Sequence, residues 1–184
     1  MDAKTAATYS IASLSAYGFM GFVPLRDWDE SLTRGSTKSD VEGVYVVVRE
    51  STLVPTFLDE DHRKPRPKRW SAEAAADRWV PGVQVLYFGK GPLRSSKSKR
   101  QQGLARRVSE LQKHGYKGGA NHYGGELLWQ IDDADALLIA WKPLAQGESA
   151  AIESGLIRGF DRIMGRQPFA NVGAPLVGST PVYL

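Results

Sequence analysis

GVYVVVR, residues 43 to 49, is the stretch on which the fold turns. It is nearly continuously apolar and β-branched, without the alternation of a half-exposed strand, so it reads as a strand covered on both faces. Such a strand is central in a sheet, with a layer packed on either side. Outward from it, VQVLYFG at 83 to 89 is a second strand, rich in valine and aromatic residues, ending at GKGP where the chain changes direction and exposes backbone amides. ALLIAWK at 136 to 142 is a third, following the turn DDAD at 132 to 135, while ELLWQI at 126 to 131 is open between strand and helix.

The helices come from a different period. Between Gln101 and His114 the residues Leu104, Val108 and Leu111 recur at helical spacing, and about 148 to 164 a longer helix carries Leu156, Ile157, Phe160 and Met164 on one stripe before PFANVG stops it. A short helix is expected at 71 to 79 behind Ser71. Two more are expected near the N-terminus, at 5 to 17 and at 27 to 34, the latter capped by Asp27 and ended at Gly35. The acids, bases and prolines of DEDHRKPRPKRW, 59 to 70, cannot form a core and belong to a solvated loop within the excursion from Glu50 to Pro81; GYKGGANHYGG at 115 to 125 reads as another loop. Strand, strand, helix, strand, helix is the order of a small α+β fold, not of a doubly wound sheet.

Composition narrows the chemistry. At 184 residues, 42% apolar and 24% charged, the chain has the material for one real core. The absence of cysteine excludes disulfide frameworks and thiolate metal sites, and a cytoplasmic location needs no special explanation. The run from Tyr9 to Leu25, broken by Ser10, Ser13, Ser15 and Gly18 and preceded by Asp2, reads neither as a signal peptide nor as a membrane span. The net charge of +4 is uneven. From Lys90 to Lys117 stand Lys90, Arg94, Lys97, Lys99, Arg100, Arg106, Arg107, Lys113 and Lys117 against Glu110 alone, a basic surface suited to a polyanion. RKPRPKRW at 63 to 70, with Lys68, Arg69 and Trp70, either grips phosphates and stacks a base or is a solvated loop.

Two charges stand where apolar residues belong. Arg107 lies three and four residues from Leu104 and Leu111, so it springs from the stripe facing the sheet, while Arg106 points to solvent. Glu153 stands three and four residues before Leu156 and Ile157. A lone charge in an apolar seam costs several kcal/mol, so each needs a partner. Either the two pair with one another or snorkel to the rim, or Glu153 binds a divalent cation and Arg107 a phosphate. Tyr45 and Tyr87, inside the first two strands, add two phenols that need hydrogen-bond partners or simply pack. Asp132, Asp133 and Asp135 read as a solvated turn more readily than as a cation site, and GKGP lacks the pattern of a nucleotide-binding loop.

GVY at 43 to 45, YFG at 87 to 89, LARRV at 104 to 108, ESGLI at 153 to 157 and PFAN at 168 to 171 stand in the order that marks the GIY-YIG nucleases, and the chain resembles that family from about residue 41 to 172. WVPGVQVLYFGKG, HYGGELLWQI and LLIAWK look like segments of compact bacterial members. The resemblance implies a nuclease domain over 41 to 172 with an inserted loop and short helix at 50 to 81, an N-terminal helical extension at 1 to 40 and a tail at 173 to 184. It implies a central antiparallel sheet of about three strands flanked by helices. By position it makes Tyr45 and Tyr87 the motif tyrosines, Arg107 the phosphate-contacting arginine, Glu153 the single ligand of Mg²⁺ or Mn²⁺ and Asn171 a supporting residue, with Lys90 adding charge. Departures are Phe88 in place of isoleucine, the long excursion between the motifs, and Leu111 where many members carry a histidine; His114 and His122 either compensate or are loop histidines.

The implied activity is metal-dependent hydrolysis of phosphodiester bonds in DNA, in restriction, repair or defence, with no membrane partner. A silent nucleic-acid-binding module and an RNA-cleaving enzyme are the alternatives. Tyr45 as the base would have to be brought from a pKa of about 10 toward neutrality, roughly 3 to 4 kcal/mol of preference for the phenolate.

Overall fold

A computed structural model describes residues 8 to 34, 41 to 59, 70 to 93, 103 to 116, 123 to 173 and 178 to 184. The fold is α+β, built on a four-stranded antiparallel sheet. Strands β1 (Met20–Pro24), β2 (Gly43–Val48), β3 (Val85–Gly91) and β4 (Leu138–Pro143) lie in the order β1-β4-β2-β3. β2 is central and every residue of it is buried, as its unbroken apolar sequence requires. Its side chains divide by parity. Tyr45 and Val47 enter one core with Leu104, Val108 and Leu111, while Val44, Val46 and Val48 enter the other with Leu156, Ile157 and Phe160.

Those residues belong to the covering helices. In chain order the helices are α1 (Ile11–Tyr17), α2 (Ser31–Arg34), α3 (Ala72–Arg78), α4 (Leu104–Tyr116) and α5 (Ser149–Met164). α4 and α5 bury their expected stripes on opposite faces of β2 and β3. α3 begins behind Ser71, whose hydroxyl accepts from Ala74 N–H. ELLWQI resolves as part of a 3-10 stretch, Tyr123–Gln130, ending in a bridge from Ile131 to Phe57.

The sheet has one strand more than expected. The N-terminal segment is helical at Ile11–Tyr17 but then adds β1 to the edge of β4, so it is part of the sheet and not only a helical extension. MGFVP hides its strand character in a glycine and a proline. Gly21 takes a φ of +103°, and a Cβ there would lie 2.2 Å from the Trp141 ring, so the strand is bulged around it. The helix expected at 27 to 34 is two pieces, a 3-10 turn at Leu25–Asp27 and then α2. Asp29 Oδ1, not Asp27, accepts from Ser31 N–H.

The excursion after β2 is pinned where it is described. Arg49, 6% exposed, grips Asp133 through Nε at 3.0 and 2.8 Å and donates to the carbonyls of Ser51 and Leu53. The DDAD turn therefore spends an aspartate on an arginine fork. Among the described residues no helix is long and apolar enough to cross a membrane.

Candidate active site

β3 is an edge strand, and the functional groups gather around its last residues. Tyr45 faces Gly89 across the β2–β3 ladder. A Cβ on Gly89 would lie 2.3 Å from Tyr45 Cζ and 2.5 Å from the hydroxyl oxygen. The missing side chain is the space in which the phenol lies, across β3 toward its open side. Tyr87 stands on the same face two residues earlier, the ring centroids 6.0 Å apart. The two hydroxyls are hydrogen-bonded in the sense that keeps the proton on Tyr45 and favours ionisation of Tyr87.

The charges arrive from the two helical layers. Arg107 on α4 and Glu153 on α5 both lie within electrostatic range of both phenols, although their helices cover opposite faces. They do not pair with one another. Glu153 Oε2 accepts from Lys90 Nζ, and Arg107 NH1 donates to Glu110 Oε2. Glu110 Oε1 meanwhile accepts from Arg106 Nε at 2.9 Å, so Arg106 is half-buried and engaged, not directed freely to solvent. Burial holds the Glu153 carboxyl above its ordinary range, against the pull of Lys90 and Arg107.

Burial also dominates the phenols. It pushes Tyr45 well above 10, joined by Tyr87 and Glu153, with Arg107 acting the other way. Tyr87 is pushed up to about 12, by burial and then by Glu153. Charge from Arg107 therefore does not bring Tyr45 toward neutrality. In the chain by itself both tyrosines are proton holders.

Asn171 supports the strand directly. Its Oδ1 accepts from Phe88 N–H and its Nδ2 donates to Phe88 C=O, both at 2.9 Å. Trp70 is half-buried against the core, with the Arg78 guanidinium 5.5 Å from its ring centroid, so one indole face is already occupied. Leu111 is fully buried and His114 lies buried on α4, not in a loop. Lys68, Arg69, Lys97, Lys99, Arg100 and His122 lie outside the described residues.

Three residues take roles here that their place in the sequence does not announce. Gly89 is the cradle just described, and Glu110 fixes the arginine fork. Glu42, 2% exposed, accepts from Gly147 and Ser149 N–H through Oε1 and from Leu93 N–H through Oε2, each at 3.0 Å. It ties the exit of β3 to the first turn of α5, where the helix dipole favours an anion, and so sets the height of Glu153 one turn later. Burial opposes its charge, but these donors hold its pKa below the ordinary 4.5. A carboxylate so depressed stabilises the fold above its unfolded pKa, and that stabilisation is lost as pH falls through the folded value. Glu42→Gln is expected to cost about 1 to 3 kcal/mol at pH 7 and to flatten the decline of the melting temperature below pH 4.5. Thermal unfolding between pH 7 and 3 measures both, and a variant with unchanged stability and slope would exclude the anchor.

Compared with protein-family models, with curated proteins and with solved structures, the chain matches none.

Proposed function

We propose that the chain is a metal-dependent endonuclease of the GIY-YIG type, acting on DNA. The observation that carries this reading is that two phenols in ring contact lie within electrostatic range of one guanidinium and one carboxylate, supplied by two strands and by helices of opposite layers. Core packing alone gives no reason for four polar groups, far apart in sequence, to be so placed. The order of the five sequence elements supports the same assignment.

The residues fit a cation that keeps most of its water. Among the described residues no three of His, Cys, Asp or Glu are grouped to enclose a metal, and Glu153 is the acid at the site. Its Oε1 has no hydrogen-bond partner among the described residues. Mg²⁺ commonly takes one or two carboxylates and retains several waters, so Glu153 would hold it, or Mn²⁺, through one carboxylate. Bound there, the cation supplies Lewis-acid stabilisation of the leaving 3′-oxygen and positive charge that favours a phenolate.

The chain's own groups do the rest. Arg107 presents a planar, permanently charged fork to a phosphate oxygen, its orientation set by Glu110. Lys90 adds a second positive charge beside Glu153. The hydrogen-bonded tyrosines titrate as a unit, and the pair acts as base only after giving one proton to solvent; water then attacks phosphorus, its proton passes to that phenolate, and the 3′-oxygen leaves and takes a proton from solvent. Asn171 and Gly89 hold β3 and the Tyr45 ring in place for this.

A silent nucleic-acid-binding module is the second reading, favoured by phenols held protonated and by Glu153 already engaged with Lys90. One assay separates them. Single-stranded DNA, duplex DNA and RNA are incubated with the chain in Mg²⁺ or chelator and the ends are mapped. New ends on DNA that need Mg²⁺ and disappear in Glu153→Ala and Tyr45→Phe are expected. Undiminished cutting by Glu153→Ala removes the metal assignment, ends on RNA alone move the substrate class, and binding without products establishes the silent module.

A further inference from the structure

Beyond the site itself, the same edge of β3 leads to a second feature. Two residues back from Lys90, Phe88 bonds Asn171; two further, Leu86 C=O accepts from Ala170 N–H at 2.9 Å. Asn171, which holds Phe88, also lines a cavity of about 370 Å³ with Arg78 and Arg166 in its wall. Arg78 donates from Nε to Phe169 C=O at 3.1 Å and from NH2 to Asn171 C=O at 2.8 Å. Arg166 donates from NH1 to Asp77 and Trp79 carbonyls at 2.6 and 3.4 Å. NH1 of Arg78, and Nε and NH2 of Arg166, make no hydrogen bond among the described residues. Two guanidiniums against the Asp77 carboxylate give the lining a net charge of +1.

The two arginines are close enough that burial and then the charge of Arg166 depress the pKa of Arg78. Like charges held together by backbone carbonyls are relieved by an anion that bridges them, and the unused donors supply the hydrogen bonds for it. Leu86 lies three residues from Gly89, roughly 10 Å of strand. That span exceeds one step between successive phosphates of a strand, so a phosphate in the cavity is a different one from that at the tyrosines.

We propose that the Arg78–Arg166 cavity binds a backbone phosphate of the same nucleic-acid strand, other than the one at the tyrosines. This rests on nucleic acid being the substrate. The subsite fixes the register of the strand: the far phosphate sits between the guanidiniums, and Asn171, bonded to Arg78 through its backbone and to Phe88 through its side chain, connects that seat to β3.

The test is anisotropy of a labelled single-stranded DNA oligonucleotide in chelator, over a salt series, with wild type, Arg166→Gln, Arg166→Glu and Arg26→Glu. Arg166 and Arg26 are both exposed, Arg26→Glu repeats the change in net charge elsewhere, and unchanged melting temperatures check that losing the Arg166 bonds to the Asp77 and Trp79 carbonyls leaves the fold intact. Arg166→Glu is expected to weaken binding about tenfold and to lower the slope of log affinity on log salt by about 0.7, the loss of one phosphate contact. Arg166→Gln should do so more weakly and Arg26→Glu hardly at all. Equal curves for Arg166→Glu and Arg26→Glu overturn the subsite, as does a wild-type chain that does not bind the oligonucleotide. Because the measurement needs no metal and no cutting, an Arg166-dependent binder that never cleaves keeps the subsite and loses the nuclease.

Discussion

Arg107→Lys is expected to cut DNA at least about a hundredfold more slowly than the parent chain, although the charge is conserved. The reason lies in how the guanidinium is divided. One nitrogen is committed to Glu110, which is itself steadied by Arg106, and the guanidinium lies within electrostatic range of both phenols. A lysine carries one compact ammonium, which can satisfy Glu110 or reach a phosphate oxygen, but cannot hold both in one plane. Binding in chelator should change little, since one charge of the basic surface is kept. The loss therefore falls on turnover, as when a donor to the reacting group is removed. Glu110→Gln should show a smaller loss of the same kind, because it loosens the fork without removing it. Single-turnover cleavage of a labelled duplex measures all three. A lysine variant with more than half the parental rate would mean that Arg107 supplies only charge, and the phosphate contact would have to be assigned elsewhere.

Gly89→Ala is expected to behave as a tyrosine variant although Gly89 itself carries no side chain. The added methyl would fall 2.3 Å from Tyr45 Cζ, 2.5 Å from its oxygen and 2.7 Å from Cε2. Tyr45 is fully buried on the central strand and has no empty side to retreat to. Overpacking of this kind costs about 1 to 3 kcal/mol, a fall in melting temperature of roughly 2 to 12 °C for a domain of this size. Displacement of the ring should bring cleavage down to the level of Tyr45→Phe. In a Tyr45→Ala background the same alanine has room, so its cost to stability should nearly vanish. Calorimetry of the four proteins closes the cycle, and an additive result would show that the ring does not depend on that space.

The parts of the molecule that were legible beforehand are those whose causes are local. An unbroken run of valines with no polar face announces a strand covered twice, and Leu104, Val108 and Leu111 or Leu156, Ile157 and Phe160 announce their helices by spacing alone. Arg107 and Glu153 were legible for a related reason, as charges on stripes where apolar residues belong. What stayed hidden depends on partners remote in sequence. β1 takes its strand from β4, more than a hundred residues away, and its glycine bulge disguises it. Glu42 has meaning only once Leu93, Gly147 and Ser149 are brought beside it. Spacing alone also offers Arg107 and Glu153 to one another, where the fold gives each a nearer partner, Glu110 and Lys90. In the same way, proximity of arginine to Tyr45 suggested an easier phenolate, and burial proved the larger effect.

The bonding of Asn171 and Ala170 to Phe88 and Leu86 has a consequence for how copies of the chain treat each other. The rim of a sheet is an invitation to any stray extended peptide, including a second molecule of the same protein. Here an amide side chain occupies the place of a neighbouring peptide group, and the main chain at Ala170 fills the next, so a stranger cannot zip along that margin. An Asn171→Leu chain would lose that guard, and clumping on gentle warming should expose it.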